Sequence, residues 1–224
     1  MSTPATAPIP SDKIIHKALG EFGLSVDEVQ VTQIQKYINI LLQWNEQLNL
    51  TAIRDPLEML YRHFCESMFA AVAVPMQKCR IADIGSGAGF PGLALKIISP
   101  ELQVFLIECN VKKATFLAEV TRALGIEGVR VMVTRYEELG EGIAPVDFVC
   151  ARALGEFDKF LAWASAEQTA AGNVALWVGT RDLEEIKKIP GWNWREPIPI
   201  PQSLRRILLV GSRDKVGGPT KASI

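Results

Sequence analysis

Apolar residues in the first third of the chain recur at helical spacing. In residues 13–47, spacings of three and four predict an amphipathic helix whose apolar stripe is Val31, Ile34, Ile38, Leu41 and Leu42. A second helix is predicted for residues 56–73, because Asp55 can cap it and Pro56 suits the first helical position. We therefore expect a helical N-terminal extension over residues 13–75.

After residue 78 the pattern changes to short apolar runs that alternate with amphipathic stretches. The runs predicted as strands are CRIADI, QVFLIE, VRVMV, VDFVCA and NVALWV, followed by a terminal hairpin in REPIPIPQSLRRILLVG. The stretches predicted as helices are GLALKIIS, KKATFLAEVTRALG, EFDKFLAWASA and TRDLEEIKKI. Such alternation predicts a doubly wound α/β domain at 76–212, with a mostly parallel sheet of seven strands and one antiparallel strand near its edge.

Composition changes this picture little. A hydrophobic content of 48% in 224 residues supports a sizeable core, and the polar ends at 1–12 and 213–224 are expected to be loose tails. The formal net charge of −1 gives no support to nucleic-acid binding by overall charge. The apolar runs are too short for a membrane span, and the N-terminus lacks the basic and apolar regions of a secretory signal.

Cysteine and histidine are too scattered to suggest a structural metal. The four cysteines are widely spaced without a C-x-x-C pair, and only two histidines are present. Free cysteines in apolar surroundings behave as small hydrophobic residues. We expect a protein of the reducing cytoplasm without a bound metal.

The stretch RIADIGSGAGFPGLALKII carries the first candidate chemistry. The first predicted strand ends at Ile84, and the loop after it contains Gly85, Gly87 and Gly89. Ligands of doubly wound sheets bind beyond the carboxyl ends of the strands, and glycines let the backbone approach them. The following helix start favours a negative group.

Three ligand classes use such a loop. No Lys-Ser/Thr pair follows the glycines, so a P-loop for a nucleoside triphosphate is disfavoured. Gly87, Gly89 and Gly92 fit the dinucleotide pattern G-x-G-x-x-G, which is weak by itself and leaves Asp83 unexplained. S-adenosylmethionine suits the loop better, because Asp83 can face its cationic groups while the helix start faces its carboxylate.

Later strand ends add further candidates. Glu108 ends the second strand, where an acid can accept hydrogen bonds from ribose hydroxyls or be merely solvated. Tyr136 and Glu137 follow the third strand and can flank an adenine, although capping of a short helix explains Glu137 equally well. Arg152 ends the fourth strand, where it can bind a base edge or a phosphate, or pair with an acid such as Glu137.

Two other features have competing interpretations. His63 can contact RNA or can be a buried interface residue bonded to a backbone carbonyl. Trp192 and Trp194 can stack on a splayed base, but packing against a helix is the favoured interpretation.

The order of several motifs resembles a known family. The segments LLQWNEQLNLTAIRDPLEMLYRHFCESM, IADIGSGAGFPGLALKI, LIECNVKKATFLAEV, VTRYEEL and CARA are similar to those of the glucose-inhibited-division B family of bacterial small-subunit ribosomal RNA methyltransferases. The resemblance covers roughly residues 30–212. It implies a Rossmann-like methyltransferase fold, S-adenosylmethionine as methyl donor, and methylation of a guanine at N7 in 16S ribosomal RNA.

The resemblance also implies particular site residues. Cofactor contacts carried over from it are Gly85, Phe90, Tyr136, Glu137 and Arg152, and Arg152 is also the expected catalytic residue. General site logic adds Asp83, Gly87, Gly89 and Glu108. The chain departs from the family pattern where Glu66 replaces Asp, Met68 replaces Leu, Ala151 replaces Ser and Val178 replaces Lys.

The leading hypothesis is therefore a cytoplasmic, monomeric methyltransferase that acts on 16S ribosomal RNA or the small ribosomal subunit, without DNA or membrane partners. Methylation of N7 needs no prior proton removal, which agrees with a chain that has few histidines. Alternatives are a methyltransferase for another RNA or a small molecule, and a non-catalytic S-adenosylmethionine-binding module. NAD-dependent oxidoreduction ranks last.

Overall fold

A computed structural model describes residues 7–139, 143, 145–152, 155–166 and 171–213. Residues 1–6 of the first predicted tail and 214–224 of the second lie outside these residues. The helices are α1 Asp12–Gly20, α2 Glu28–Leu48, α3 Pro56–Met59, α4 Glu66–Met68, α5 Ala70–Ala73, α6 Gly92–Ile98, α7 Val111–Ala123, α8 Phe157–Ser165 and α9 Leu183–Lys187. The strands are β1 Arg80–Ile84, β2 Gln103–Ile107, β3 Val129–Met132, β4 Phe148–Arg152, β5 Asn173–Gly179, β6 Trp192–Trp194, β7 Ile198–Pro199 and β8 Arg206–Arg213.

The strands form one sheet in the order β3-β2-β1-β4-β5-β8-β6, with β7 paired to β8. Strands β1 to β5 are parallel, and β8 runs antiparallel to β5, β6 and β7. Because β6 and β7 pair with different stretches of β8, they share the position at its free edge. The eight strands thus fill seven positions, and the expected mostly parallel sheet with an antiparallel strand near its edge is confirmed.

The N-terminal helices begin and end where local chemistry allows. Asp27 caps α2 in a reciprocal pair with Gln30, in which each side chain accepts from the other residue's backbone N–H. This cap and Gly23, with φ of +72°, interrupt the helix expected over 13–47. The predicted cap of the next helix is confirmed, since the Asp55 carboxylate accepts from the Glu58 N–H at 2.8 Å.

The helix predicted from Pro56 onward contains a wider turn. Between α3 and α4, residues Leu60–Cys65 form a π-helical segment. Such segments are rare and occur often at functional sites, because the wider turn redirects backbone carbonyls. The carbonyls of Arg62 and His63 in this segment accept hydrogen bonds from Arg152 on β4.

Both faces of the sheet are covered. On one face the N-terminal extension joins α6 and α7 in a core that includes Tyr37, Phe64 and Phe116. On the other face α8 and α9 pack in a second core with Trp192 and Val178. Layers of this kind are what a doubly wound sheet requires.

The tryptophan pair belongs to this second core region. The Trp192 ring is buried, and its Nε1 donates to the Leu161 carbonyl at 3.3 Å. The Trp194 ring covers Gly211, where an added Cβ would lie 2.7 Å from the ring. The predicted packing against a helix is confirmed for Trp192, which contacts α8, whereas Trp194 packs against β8.

Candidate functional site

The glycine loop connects β1 to α6. Gly85, Gly87 and Gly89 have φ values of +67°, +54° and +85°. This left-handed region is unfavourable for residues with a Cβ, so the alternating glycines are required by the path of the backbone. The loop lies where the sequence predicted it, at the carboxyl end of the first strand.

Asp83 lies beneath this loop. Its side chain is fully buried, and Oδ2 accepts a hydrogen bond from the Gly92 N–H at 3.0 Å. A Cβ on Gly92 would lie 2.7 Å from the same oxygen, so only glycine fits there. Burial raises the pKa of Asp83 to about 7. The expected role facing the cationic groups of a ligand is not the one this geometry supports, because the carboxylate holds the start of α6.

Glu108 braces the loop from the neighbouring strand. It follows the last residue of β2, and its Oε2 accepts from the Gly87 N–H at 2.9 Å. Its Oε1 accepts from the Asn110 N–H at 2.8 Å. Because the side chain also lines the adjoining cavity, it joins the glycine loop to the place where a ligand would lie.

A cavity of about 340 Å³ opens beyond the ends of β1, β2 and β3. It is lined by Ile84, Gly85, Ile107, Glu108, Cys109, Thr134, Arg135, Tyr136, Glu137, Gly155 and Glu156. The structure therefore brings together four predicted site residues, Gly85, Glu108, Tyr136 and Glu137. Tyr136 packs edge-on against Trp163 and Phe160 of α8, with ring centroids 5.0 and 6.0 Å away.

This cavity fits S-adenosylmethionine in size and in chemistry. Small-molecule sites commonly have volumes of about 300–1,000 Å³ with apolar walls and a few polar groups. Ile84 and Ile107 supply apolar wall, and Glu108 supplies a carboxylate that can accept from hydroxyl groups. A larger cleft of about 460 Å³ includes Gln103 and Gly128, at the starts of β2 and β3. That cleft lies at the opposite edge of the sheet from the glycine loop.

Phe90 connects the loop to the N-terminal extension. Its ring lies between Tyr37 at 5.3 Å and His63 at 4.9 Å, with interplanar angles of 8° and 20°. The Tyr37 hydroxyl donates to the Ala88 carbonyl at 2.5 Å. The extension therefore holds the loop from the side away from the cavity, and Phe90 does not line that cavity.

His63 is an interface residue in this arrangement. Its Nε2 lies 2.8 Å from Thr51 Oγ1, so the interface interpretation is the one the structure supports, with a hydroxyl as the partner in place of a backbone carbonyl. Burial lowers the pKa of His63 to about 3, and the charges of Arg152 and Arg62 act in the same direction. The ring is therefore neutral at physiological pH.

Arg152 is directed toward the extension. Its guanidinium donates to the Arg62 and His63 carbonyls and, at 3.1 Å, to Ser67 Oγ. The acid that it contacts is Glu66, at 3.4 Å, so the suggested partner Glu137 was wrong. Burial lowers the pKa of Arg152 from its usual value.

Glu66 is the site residue that sequence reasoning missed. Its buried carboxylate contacts Arg62 and Arg206 as well as Arg152. Burial raises the pKa of Glu66 to about 7, and the charges of Arg152 and Arg62 oppose this shift. The available signal was the departure from the family pattern at this position, which marked the residue without indicating its partners.

The described part of the chain lacks the features of a metal site and of a membrane span. Within it, no group of three or more His, Cys, Asp or Glu side chains could hold a metal ion. All four cysteines there are free, and Cys65 and Cys150 are buried. None of the helices in the described ranges has the length and apolar character needed to cross a membrane.

The sheet order and the glycine loop with its bracing acid define a Rossmann-like methyltransferase that uses S-adenosylmethionine. A methyltransferase of this cofactor class from Aquifex aeolicus has the same fold, with a TM-score of 0.58 and 16% identity over 74% of this chain and 97% of that one. The model of the rRNA small subunit methyltransferase G family matches residues 30–191, and the chain belongs to that family.

Relatives named ribosomal RNA small subunit methyltransferase G support this assignment. The Xylella fastidiosa protein is 39% identical over 76% of this chain and 80% of its own length. The Xanthomonas campestris protein is 35% identical over 87% of this chain and 91% of its own length. The similarity therefore extends over most of both molecules.

Proposed function

We propose that this protein transfers a methyl group from S-adenosylmethionine to N7 of a guanine in 16S ribosomal RNA. The observation that carries the proposal is the cavity at the ends of β1, β2 and β3, lined by Gly85 and Glu108, in a chain of the rRNA small subunit methyltransferase G family. The acceptor is the small ribosomal subunit or its RNA. We further propose that the protein acts as a monomer in the cytoplasm, where that substrate is found, without DNA or membrane partners.

S-adenosylmethionine, when bound, supplies an activated methyl group on a sulfonium centre. Glu108 would accept hydrogen bonds from its ribose hydroxyls, and Tyr136 and Glu137 would border its adenine. Gly85 lines the cavity and keeps it free of a side chain there, whereas a Cβ at Gly89 would meet Tyr37 on the opposite side of the loop. Asp83 and Phe90 act from behind the loop, through Gly92 and Tyr37 respectively.

No general base is required on the acceptor side. The N7 lone pair of guanine lies outside the aromatic sextet, so the base reacts without losing a proton first. The residues of this chain therefore contribute by orienting the two reactants. We propose that Arg152 is a positioning residue, because its hydrogen bonds fix the end of β4 against the π-helical segment.

The direct test is methyl transfer with labelled S-adenosylmethionine to small ribosomal subunits, naked 16S RNA and a metabolite extract. We expect label in the ribosomal substrate as N7-methylguanosine, mapped to one nucleotide that loses the modification when the gene is deleted. Label only in another RNA or in a metabolite would support a different acceptor. Binding of the donor without transfer to any substrate would support a sensor module.

Donor binding has its own test. We expect S-adenosylmethionine at about one hundred times its Kd to raise the melting temperature by on the order of 5–10 °C. Gly85→Leu should abolish this shift, because Gly85 lines the cavity and has φ of +67°. Gly20→Ala is the matched control, since a Cβ at Gly20 meets no atom within 4 Å among the described residues. A wild-type protein with no shift would contradict the donor assignment.

A further inference from the structure

Three arginines and one glutamate meet near the functional edge of the sheet. Arg152 is the last residue of β4, and Arg206 is the first residue of β8, paired with Gly179 at the end of β5. Arg62 lies in the π-helical segment, one turn before Glu66, which is the first residue of α4. The Glu66 carboxylate lies 3.2, 3.4 and 2.5 Å from the nearest nitrogens of Arg62, Arg152 and Arg206.

Glu66 is rigidly placed at the centre of this arginine cluster. Its side chain is only 4% exposed, and its backbone carbonyl accepts from Trp177 Nε1 on β5 at 2.8 Å. A buried carboxylate is costly unless charged partners and hydrogen bonds surround it. The extension, β4, β5 and β8 therefore all converge on this one residue.

The three arginines differ in how fully they are bonded. Arg152 is 15% exposed and has three further acceptors in the extension. Arg62 and Arg206 are 40% and 25% exposed, and in the described part of the chain Glu66 is the acid that each contacts. The Arg62 Nε is the atom that lies 3.2 Å from Glu66, in an ion pair without hydrogen-bond geometry, and the Arg206 Nε is buried without a hydrogen bond to the described residues. The donors left for a ligand are therefore the terminal nitrogens of the partly exposed Arg62 and the terminal nitrogen of Arg206 that does not bond Glu66.

The charge in this arginine cluster is unbalanced. Three guanidinium groups surround one carboxylate, which leaves a surplus of two positive charges in a partly desolvated place. Guanidinium groups recognise phosphate oxygens through paired N–H donors. Phosphates of a nucleic-acid backbone are the anions that an RNA substrate would bring to this edge.

We propose that Glu66 holds Arg62 and Arg206 in place as a binding site for a backbone phosphate of the RNA substrate. The proposal rests on the proposed function only in taking RNA as the substrate. Glu66 is then a positioning residue, and Arg62 and Arg206 are the residues that contact the RNA. Its sharpest consequence is that removing the negative charge of Glu66 weakens RNA binding.

The experiment compares Arg62→Gln, Arg206→Gln and Glu66→Gln with the wild-type protein at pH 8. The affinity for a fluorescently labelled fragment of 16S RNA is measured by anisotropy at several salt concentrations. Each arginine variant is expected to bind RNA roughly ten-fold more weakly, with the slope of log K against log salt smaller by about one. In methylation assays the KM for small subunits should rise, while the Kd for S-adenosylmethionine stays unchanged.

The Glu66→Gln variant distinguishes a positioning role of Glu66 from a general effect of its negative charge on RNA binding. General electrostatics predicts tighter RNA binding when an acid is removed, whereas the proposal predicts binding several-fold weaker than wild type. Glu66→Asp keeps the charge and should restore part of the affinity. Thermal melting of each variant checks that it is folded, and the arginine variants decide the proposal if Glu66→Gln fails to fold.

Two controls complete the design. Arg205→Gln removes an exposed arginine adjacent to Arg206 and should have a much smaller effect than Arg206→Gln. Inorganic phosphate is titrated in parallel, because a site for a free anion would show loss of phosphate binding in Arg206→Gln with unchanged RNA affinity. That result, or unchanged RNA affinity and salt slope in both arginine variants, would overturn the proposal.

Failure of the proposed function would look different. If the wild-type protein methylates no RNA, the assigned reaction is wrong. The affinity measurement requires no turnover, so the comparison of variants still decides whether this arginine cluster binds RNA phosphate.

Discussion

Gly89 occupies the most crowded position of the glycine loop. A Cβ there would overlap the Tyr37 hydroxyl and lie 2.8 Å from Leu93 Cδ1, and the residue has φ of +85°. We expect Gly89→Ala to lower the free energy of unfolding by about 2–4 kcal/mol, because strain and overlap add. Urea denaturation measures this change.

Gly20→Ala provides the comparison for that measurement. Gly20 is the last residue of α1, and a Cβ there meets nothing within 4 Å among the described residues. Its effect should stay within about 1 kcal/mol, since alanine is the better helix former. Equal effects of the two substitutions would show that Tyr37 does not pack against the loop as described.

His63 makes stability depend on pH in a known direction. Its pKa is about 3 in the folded protein because of burial, against an ordinary value of 6.5. Below pH 6.5 the unfolded chain therefore binds a proton that the folded protein does not. The free energy of unfolding consequently decreases as the pH falls from about 6.5 toward 3. We expect His63→Gln to lose less stability than wild type between pH 7 and pH 5.

Comparing the variant with the wild type separates the effect of His63 on pH-dependent stability from the effects of two buried acids. Burial raises the pKa values of Asp83 and Glu66 to about 7. The stability that each of these acids contributes therefore decreases as the pH rises from about 4 to 7. Both acids are present in the wild type and in the variant. His16→Gln, at an exposed histidine, is the matched control substitution.

Sequence reasoning at this scale located residues better than it assigned their partners. The positive φ values of the glycines and the place of Glu108 follow from local rules about strand ends and loops. The orientations of the Asp83 and Arg152 side chains do not follow from such local rules. Arg152 contacts an acid 86 positions earlier, in an extension whose packing no local pattern specifies.

At the scale of elements, α2 supplies a support for the donor loop. Tyr37 is fully buried and contributes both a stacked ring against Phe90 and a hydrogen bond to the Ala88 carbonyl. Tyr37→Phe removes only the hydrogen bond and should weaken S-adenosylmethionine binding a few-fold, about 1 kcal/mol. Tyr37→Leu also removes the stacking and should weaken binding further, as measured by calorimetric titration.

Tyr61→Phe is the matched control for these two variants. The Tyr61 hydroxyl donates to Glu21 at 3.2 Å at the surface, away from the loop. Its removal should leave donor affinity unchanged. If Tyr37→Leu binds the donor as wild type does, the extension is not a support for the loop.

Most helices and strands could be predicted because each has its own apolar period and end signals. The π-helical segment could not be, because its carbonyls bond to Arg152 on a distant strand. Strand β6 was missed for a similar reason. It has three residues, Trp192–Trp194, and is defined by pairing with β8.

At the scale of the whole molecule, the hydrophobic core crosses the predicted domain boundary. One continuous core joins extension residues such as Tyr37 and Phe64 to Leu93, Leu106 and Phe116 of the α/β part. The division into 13–75 and 76–212 remains a proposal about function. For folding, the shared core means that neither part buries its apolar surface alone.

This shared core predicts one cooperative unfolding transition. We expect calorimetry to give equal calorimetric and van't Hoff enthalpies, and S-adenosylmethionine to move the entire transition to higher temperature. A fragment of residues 76–213 should lack a cooperative transition and should not bind the donor, because Leu93 and Phe116 lose their cover and Phe90 loses both stacking partners. Two separate transitions, or a fragment that melts cooperatively and binds the donor, would show that the extension is an independent appendage.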